Sequence, residues 1–163
     1  SRWSSACGTS GRSSPASGES NALSRLREAL GGLHTVAPDT IGDRLHFSLE
    51  DVQGNFYCFR CAVEPWMANV AGTLHGGMAA AIADQAMGFA VYAIQPGAGF
   101  SPTVEMQLSF HRPLRAEGEL LVKVEVLTAG KSLMHLRGEI FSASAPERIC
   151  VSATAVYAFV PAK

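Results

Sequence analysis

Charge is scarce in this chain and nearly balanced. Thirteen Lys and Arg against fourteen Asp and Glu leave a net charge of -1 over 163 residues. That excludes a general nucleic-acid binder, whose affinity comes from clustered positive charge, while leaving enough local basic residues to hold a phosphorylated ligand. Cysteine is equally sparse. Of Cys7, Cys58, Cys61 and Cys150, only Cys58 and Cys61 have CxxC spacing, within the strand-like run FYCFRCAV. No second pair stands at metal-like spacing, so neither a metal site nor redox work is expected, and the pair reads as strand residues in a reducing compartment. Uninterrupted apolar stretches are also lacking. A membrane span needs about 20 such residues, whereas the most apolar segment, Met78 to Ile94, is cut by Asp84-Gln85 into runs of six and nine. No membrane partner is expected. What is present is 47% hydrophobic content, sufficient for a single domain with a sizeable core.

The first 20 residues, SRWSSACGTSGRSSPASGES, are rich in Ser and Gly and poor in large apolar groups. They cannot repay the entropy of ordering and read as a disordered leader or tag-like segment ahead of a domain spanning 21–163. No apolar stretch of the secretory kind follows, so a cytoplasmic location is expected. The alternative is an organelle matrix, should the two early arginines belong to a transit peptide. Residues 21–30, NALSRLREAL, place Leu23, Leu26 and Leu30 on one helical face, with Gly31-Gly32 as the stop.

Two strands are predicted next, Arg44 to Val52 and Asn55 to Val63, turning at Gln53-Gly54. A loop through Pro65, Trp66 and Asn69 leads to a long apolar helix closed by Pro96-Gly97. Four strands follow without an intervening helix: Thr103 to Arg112, Glu119 to Thr128, Ser132 to Ala143 and Ile149 to Val160. A six-stranded antiparallel sheet has one apolar face to cover, and the long helix is the only element apolar enough to cover it. The expected architecture is therefore α+β, a sheet wrapped around one central helix.

That helix holds the chemistry. It reads as hydrophobic on all sides, hence buried, yet carries Asp84 in its middle. An unpaired buried carboxylate costs several kcal/mol or takes up a proton, so Asp84 is the first candidate for a catalytic group. At the helix entrance Gly72, Gly76 and Gly77 permit a sharp turn and close approach to the backbone, where unpartnered N–H groups attract a developing oxyanion. At about 1.5 Å per residue, Asp84 lies about 12 Å along the axis from Gly76, too far for both to touch one reacting group. Two copies lying antiparallel about a two-fold axis would bring each Asp84 to the other's glycine turn. A dimer is therefore expected.

The run Gly72-Thr73-Leu74-His75-Gly76-Gly77, with Asn69 before it and Asp84 nine residues after His75, resembles the motif of the phenylacetate-degradation type (PaaI-like) acyl-CoA thioesterases, which have the hotdog fold. The resemblance covers about Arg25 to Val160. It implies that Asp84 activates water or attacks the thioester itself, and that the Gly76 N–H, followed by Gly77, polarises the thioester carbonyl with support from Asn69 and His75. Thr103 stands where some members carry a Ser that helps hold water, a conservative departure after Ser101-Pro102. It further implies homodimers or dimers of dimers, with coenzyme A entering as part of the substrate and no separate cofactor. Arg112, Arg115 and Lys131 lie at strand ends or turns where they could meet coenzyme A phosphates, although each alone also reads as a solvated surface charge. Asn69 reads equally as a turn former, and His75 as a positioning group. Met78, Phe89, Tyr92, Phe100 and Met106 are candidates for an acyl pocket. The alternatives are a non-catalytic acyl-CoA binding module and a hotdog dehydratase or hydratase.

Overall fold

The computed structural model describes residues 17–95 and 98–161. Most of the expected leader, residues 1–16, and the expected helix stop at Pro96-Gly97 lie outside them. The first helix, α1 (Ser17–Val36), does not stop at Gly31-Gly32 but runs four residues beyond them. A Cβ at either glycine would meet nothing within 4 Å. Each glycine costs the helix about 1 kcal/mol relative to alanine. Leu26, fully buried, and Leu23, Leu30 and Leu33, packed against the core, offset that cost. Pro38, which has no N–H to continue the ladder, sets the true end.

Residues 44–47 were expected to open the first strand, and here the structure differs. A single helical turn, α2 (Ile41–Arg44), is capped by the Thr40 side chain, which accepts from the Asp43 N–H. His46 then takes φ 45° and turns the chain. Leu45 and Phe47 are still buried, so the alternation was a true burial signal carried by a turn rather than by strand. β1 (Ser48–Gln53) and β2 (Phe56–Ala62) follow, then a 3-10 turn (Pro65–Met67) and the central helix α3 (Gly76–Ile94). After it come β3 (Ala98–Phe100), β4 (Thr103–Phe110), β5 (Glu119–Ala129), β6 (Leu133–Ser142), β7 (Ile149–Ala158) and β8 (Val160–Pro161). β3 and β8 form a small separate pair, and the other six make one antiparallel sheet in the order β1-β2-β5-β6-β7-β4.

The concave face of this sheet is built by alternation. Leu120, Val122, Val124 and Val126 of β5, Met134, Leu136 and Ile140 of β6, and Val151, Ala153, Ala155 and Tyr157 of β7 are buried with α3 in one core. A Cβ at Gly138 would stand 3.5 Å from Met87 Sδ, so that glycine is the seat of the methionine. By length and composition α3 would suit a membrane, yet Ala79, Ile82, Ala83, Ala86, Met87, Ala90 and Val91 are buried against the sheet. The expectation of burial on all sides fails on one stripe: Ala81, Asp84, Gln85 and Gly88 are half-buried and Tyr92 and Gln95 exposed. The six strands and α1 cover only part of the helix's circumference: Gln85 lies against Gly42 of α2, while Asp84 meets the start of the edge strand β4. That edge is itself apolar, with Val104 61% and Phe110 59% exposed.

Cys58 and Cys61 sit three apart on β2, which points them to opposite faces of the sheet, and they belong to different apolar clusters. They cannot share a metal. Among the described residues no group of three or more His, Cys, Asp or Glu is placed to hold one.

Candidate active site

The loop into α3 is held by Asn69. Its Oδ1 accepts from the Ala71 N–H (2.9 Å) and the Thr73 N–H (3.2 Å), and its Nδ2 donates to Thr73 Oγ1 (2.9 Å). The backbone closes the same turn, Asn69 N–H to the Thr73 carbonyl at 2.8 Å, and Gly72 takes φ 75° within it. The amide side chain thus shapes the turn, with one Nδ2 N–H given no partner among the described residues. His75 is the N-cap of α3: Nδ1 accepts from the Gly77 N–H at 2.9 Å, and the His75 carbonyl accepts from Met78 and Ala79.

The cap leaves one donor uncommitted. Among the described residues nothing accepts the Gly76 N–H, at the positive end of a 19-residue helix. The two glycines differ in what they are needed for. A Cβ at Gly77 would come within 3.1 Å of His75 Nδ1, so glycine there preserves the cap. A Cβ at Gly76 would only touch the Phe110 ring at 3.5 Å, an ordinary contact. Packing within one chain therefore does not require glycine at 76, whereas close approach of a further group would.

Two turns along the helix, Asp84 is half-buried rather than sealed in the core. It is held by two hydroxyls from neighbouring strands. Thr103 Oγ1 donates to Oδ1 at 2.6 Å, and Tyr157 OH lies 2.7 Å from the same oxygen and 2.7 Å from the Asp84 carbonyl. Thr103 and Tyr157 are cross-strand partners of β4 and β7, so the sheet register itself brings the two donors together. No Lys, Arg or His pairs with Asp84 among the described residues, and Oδ2 receives no hydrogen bond from them. Tyr157 has no local sequence signature. The one available signal was a phenol at an inward position of an otherwise small-residue strand, on the core side that also faces Asp84.

The remaining candidates divide between two ends of the sheet. Arg112 follows β4 at its Phe110 end, where Nη1 donates to the Ile149 carbonyl at 2.6 Å. It borders a cavity of about 220 Å³ between Leu74 and Ala79 of the helix entrance, Phe110 and Val151. Lys131 is exposed in the β5–β6 turn, beside Ser132, whose carbonyl accepts from Phe159, just past the Tyr157 end of β7. β4 is eight residues long, or about 25 Å at roughly 3.3 Å per residue. One chain therefore holds Gly76 with Arg112 at one end and Asp84, Thr103 and Lys131 at the other, and does not join them. Arg115 pairs with Glu117 at the surface. Of the proposed acyl-pocket residues, Phe89 is instead packed edge-on to Phe47 at 5.6 Å in the core, and the Phe100 side chain lies outside the described part.

A helix lying in the concavity of a six-stranded antiparallel sheet, entered through an N-capped glycine turn, is the hotdog fold. Residues 71–149 match the profile of the thioesterase superfamily, so the match takes in the helix entrance, α3 and β4 to β6 and stops as β7 begins. The chain thus has the hotdog fold, and over just under half of its length the sequence is similar to the thioesterase superfamily. Its fold is similar to that of a mutant thioesterase from Pseudomonas aeruginosa, with a TM-score of 0.72, 18% identity, and coverage of 93% of this chain and 98% of that one. More narrowly, it is similar to a putative thioesterase from Ralstonia eutropha described as related to phenylacetic acid degradation (TM-score 0.70, 22% identity, 85% of this chain and 99% of that one). The PaaI protein of the E. coli phenylacetic acid degradation operon is similar to a like degree (TM-score 0.68, 18% identity, 85% and 98%). Among curated proteins, none matches by sequence.

Proposed function

We propose that the chain is an acyl-CoA thioesterase that works as a dimer, hydrolysing the thioester to a free acid and coenzyme A. The observation that carries this reading is the pairing of two incomplete half-sites in one chain. One is a carboxylate with an uncommitted oxygen, Asp84 Oδ2; the other is an uncommitted N–H at a helix start, Gly76. In an antiparallel dimer about a two-fold axis, the exposed stripe of α3 and the apolar edge of β4 are covered by the second copy. Asp84 then meets Gly76 of the partner subunit.

Asp84 takes a proton from a water that attacks the thioester carbonyl, and the N–H of Gly76 of the partner subunit donates to the oxygen as it gains negative charge. Collapse of the tetrahedral intermediate expels the coenzyme A thiolate, which leaves with a proton as the free thiol. Direct attack by Asp84 to give an acyl-enzyme anhydride, hydrolysed in a second step, uses the same atoms. Arg112 near the helix entrance and Lys131 at the opposite end of the sheet supply cations for the coenzyme A phosphates from opposite subunits. The test is thiol release across short-chain, long-chain and aromatic acyl-CoAs. Release that disappears in Asp84→Asn supports the reading. Tight acyl-CoA binding without release by the wild-type protein would replace it with a binding module.

A further inference from the structure

We propose that Tyr157 is a positioning residue of the Asp84 site: with Thr103 it anchors Oδ1, so that Oδ2 is the oxygen turned to water or substrate. This rests on the reading of Asp84 as base or nucleophile. A carboxylate on a helix has two chemically equal oxygens and a side-chain torsion that interchanges them. In this site the equivalence is broken. Both hydroxyls converge on Oδ1 at 2.6 and 2.7 Å, and the Tyr157 proton is shared between that oxygen and the Asp84 carbonyl, which ties the side chain to its own backbone. An oxygen that accepts two hydrogen bonds is the poorer base of the two.

Tyr157 is suited to this task by where it stands. It is fully buried, on the strand opposite Thr103, and Gly88, one helical turn past Asp84, leaves room for its ring: a Cβ there would stand 4.0 Å from Cε1. Burial first, then the hydrogen bond to Asp84 and its charge, raise the phenol well above its ordinary range, with Thr103 pulling the other way. The hydroxyl is therefore a donor at every working pH and does not itself exchange protons with the reaction. The core cluster that holds Tyr157 is apolar, with Leu136 and Ala155 among its members.

The experiment is a carbon-13 carboxyl spectrum of aspartate-labelled protein at neutral pH, the Asp84 resonance being assigned by its loss in Asp84→Asn. Tyr157→Phe removes one of the two hydrogen bonds to Oδ1 and should move that resonance, and in thiol release lower kcat about tenfold with KM within about twofold. A folded Tyr157→Phe protein whose Asp84 resonance stands where it does in the wild type overturns the proposal. If that variant does not fold, tyrosine labelled at Cζ decides: at neutral pH the Tyr157 resonance should differ between Asp84→Asn and wild type, and an unchanged resonance overturns the proposal. Absence of thiol release, or full activity in Asp84→Asn, overturns the proposed function instead, and the spectrum still decides whether Tyr157 holds Asp84.

Discussion

At the scale of single residues the molecule concentrates its unusual chemistry on Asp84. Asp84→Asn preserves size and can still accept from Thr103 and Tyr157, so the fold should survive while kcat falls about 10²-fold or more, the loss expected when a general base is removed. Thiol-release kinetics with circular dichroism on the same sample check both halves. Two other residues give the protein a weakness at alkaline pH. Burial pushes the Cys61 thiol up to about 12 from an ordinary 9.0, and the Tyr157 phenol is raised too. Between pH 9 and 12 the unfolded chain gives up a Cys61 proton that the folded chain keeps. Stability present in full below pH 9 is thus lost as pH rises, by up to about 1.4 kcal/mol per unit for each such group. Urea midpoints measured from pH 8 to 10.5 should fall, and the Cys61→Ala variant should show a shallower slope.

Among the elements, α1 offers the sharpest stability test. Gly31 and Gly32 stand inside the helix with open space where a Cβ would be. Gly31→Ala and Gly32→Ala should each stabilise the protein by about 0.5–1 kcal/mol, read as a raised urea midpoint with an unchanged slope. An unchanged midpoint would mean the helix does not pass through them in solution. The same pair shows where a one-dimensional reading loses information. Two glycines in a row are a sound stop signal for an isolated helix, and here Leu33 beyond them finds the core and carries the helix on. β5, β6 and β7 were legible because the residues they turn toward α3 alternate, Leu120, Val122, Val124 and Val126 in β5, although Leu121 and Phe141 are buried on the other face too. The segment 44–47 wrote the same alternation while forming a turn, since burial and not backbone shape is what the pattern records. For the candidate site, the motif around His75 singled out Asp84, Gly76 and Thr103, and the Thr103 hydroxyl does meet Asp84. Tyr157 was not singled out, because its hydroxyl finds Asp84 across 73 residues of sequence and the strand around it looks like any buried strand. That Arg112 and Lys131 stand at opposite ends of the sheet follows from register, which no local pattern contains.

On the scale of the whole molecule, the exposed stripe of α3 and the apolar edge of β4 lead to a dimer in solution, which sedimentation at micromolar concentration would show; an active monomer would contradict it. The shared site can be tested by mixing. Asp84→Asn and Gly76→Val chains, each folded and each inactive alone, should on exchange form heterodimers with one intact and one doubly defective site. Random reassortment of equal amounts then restores about a quarter of wild-type activity. No recovery between exchanging, folded variants would place the site within one chain. The strand order also governs when any site exists at all. β4 is synthesised before β5, β6 and β7, yet among the described strands its one neighbour in the sheet is β7. On the ribosome it must wait unpaired while three later strands are made, and the first moment at which Thr103 and Tyr157 can close on Asp84 is after β7 has left the exit tunnel. Asp84 therefore gains its second hydroxyl only once β7 has emerged, and a nascent fragment that ends before β7 carries α3 without the Tyr157 contact.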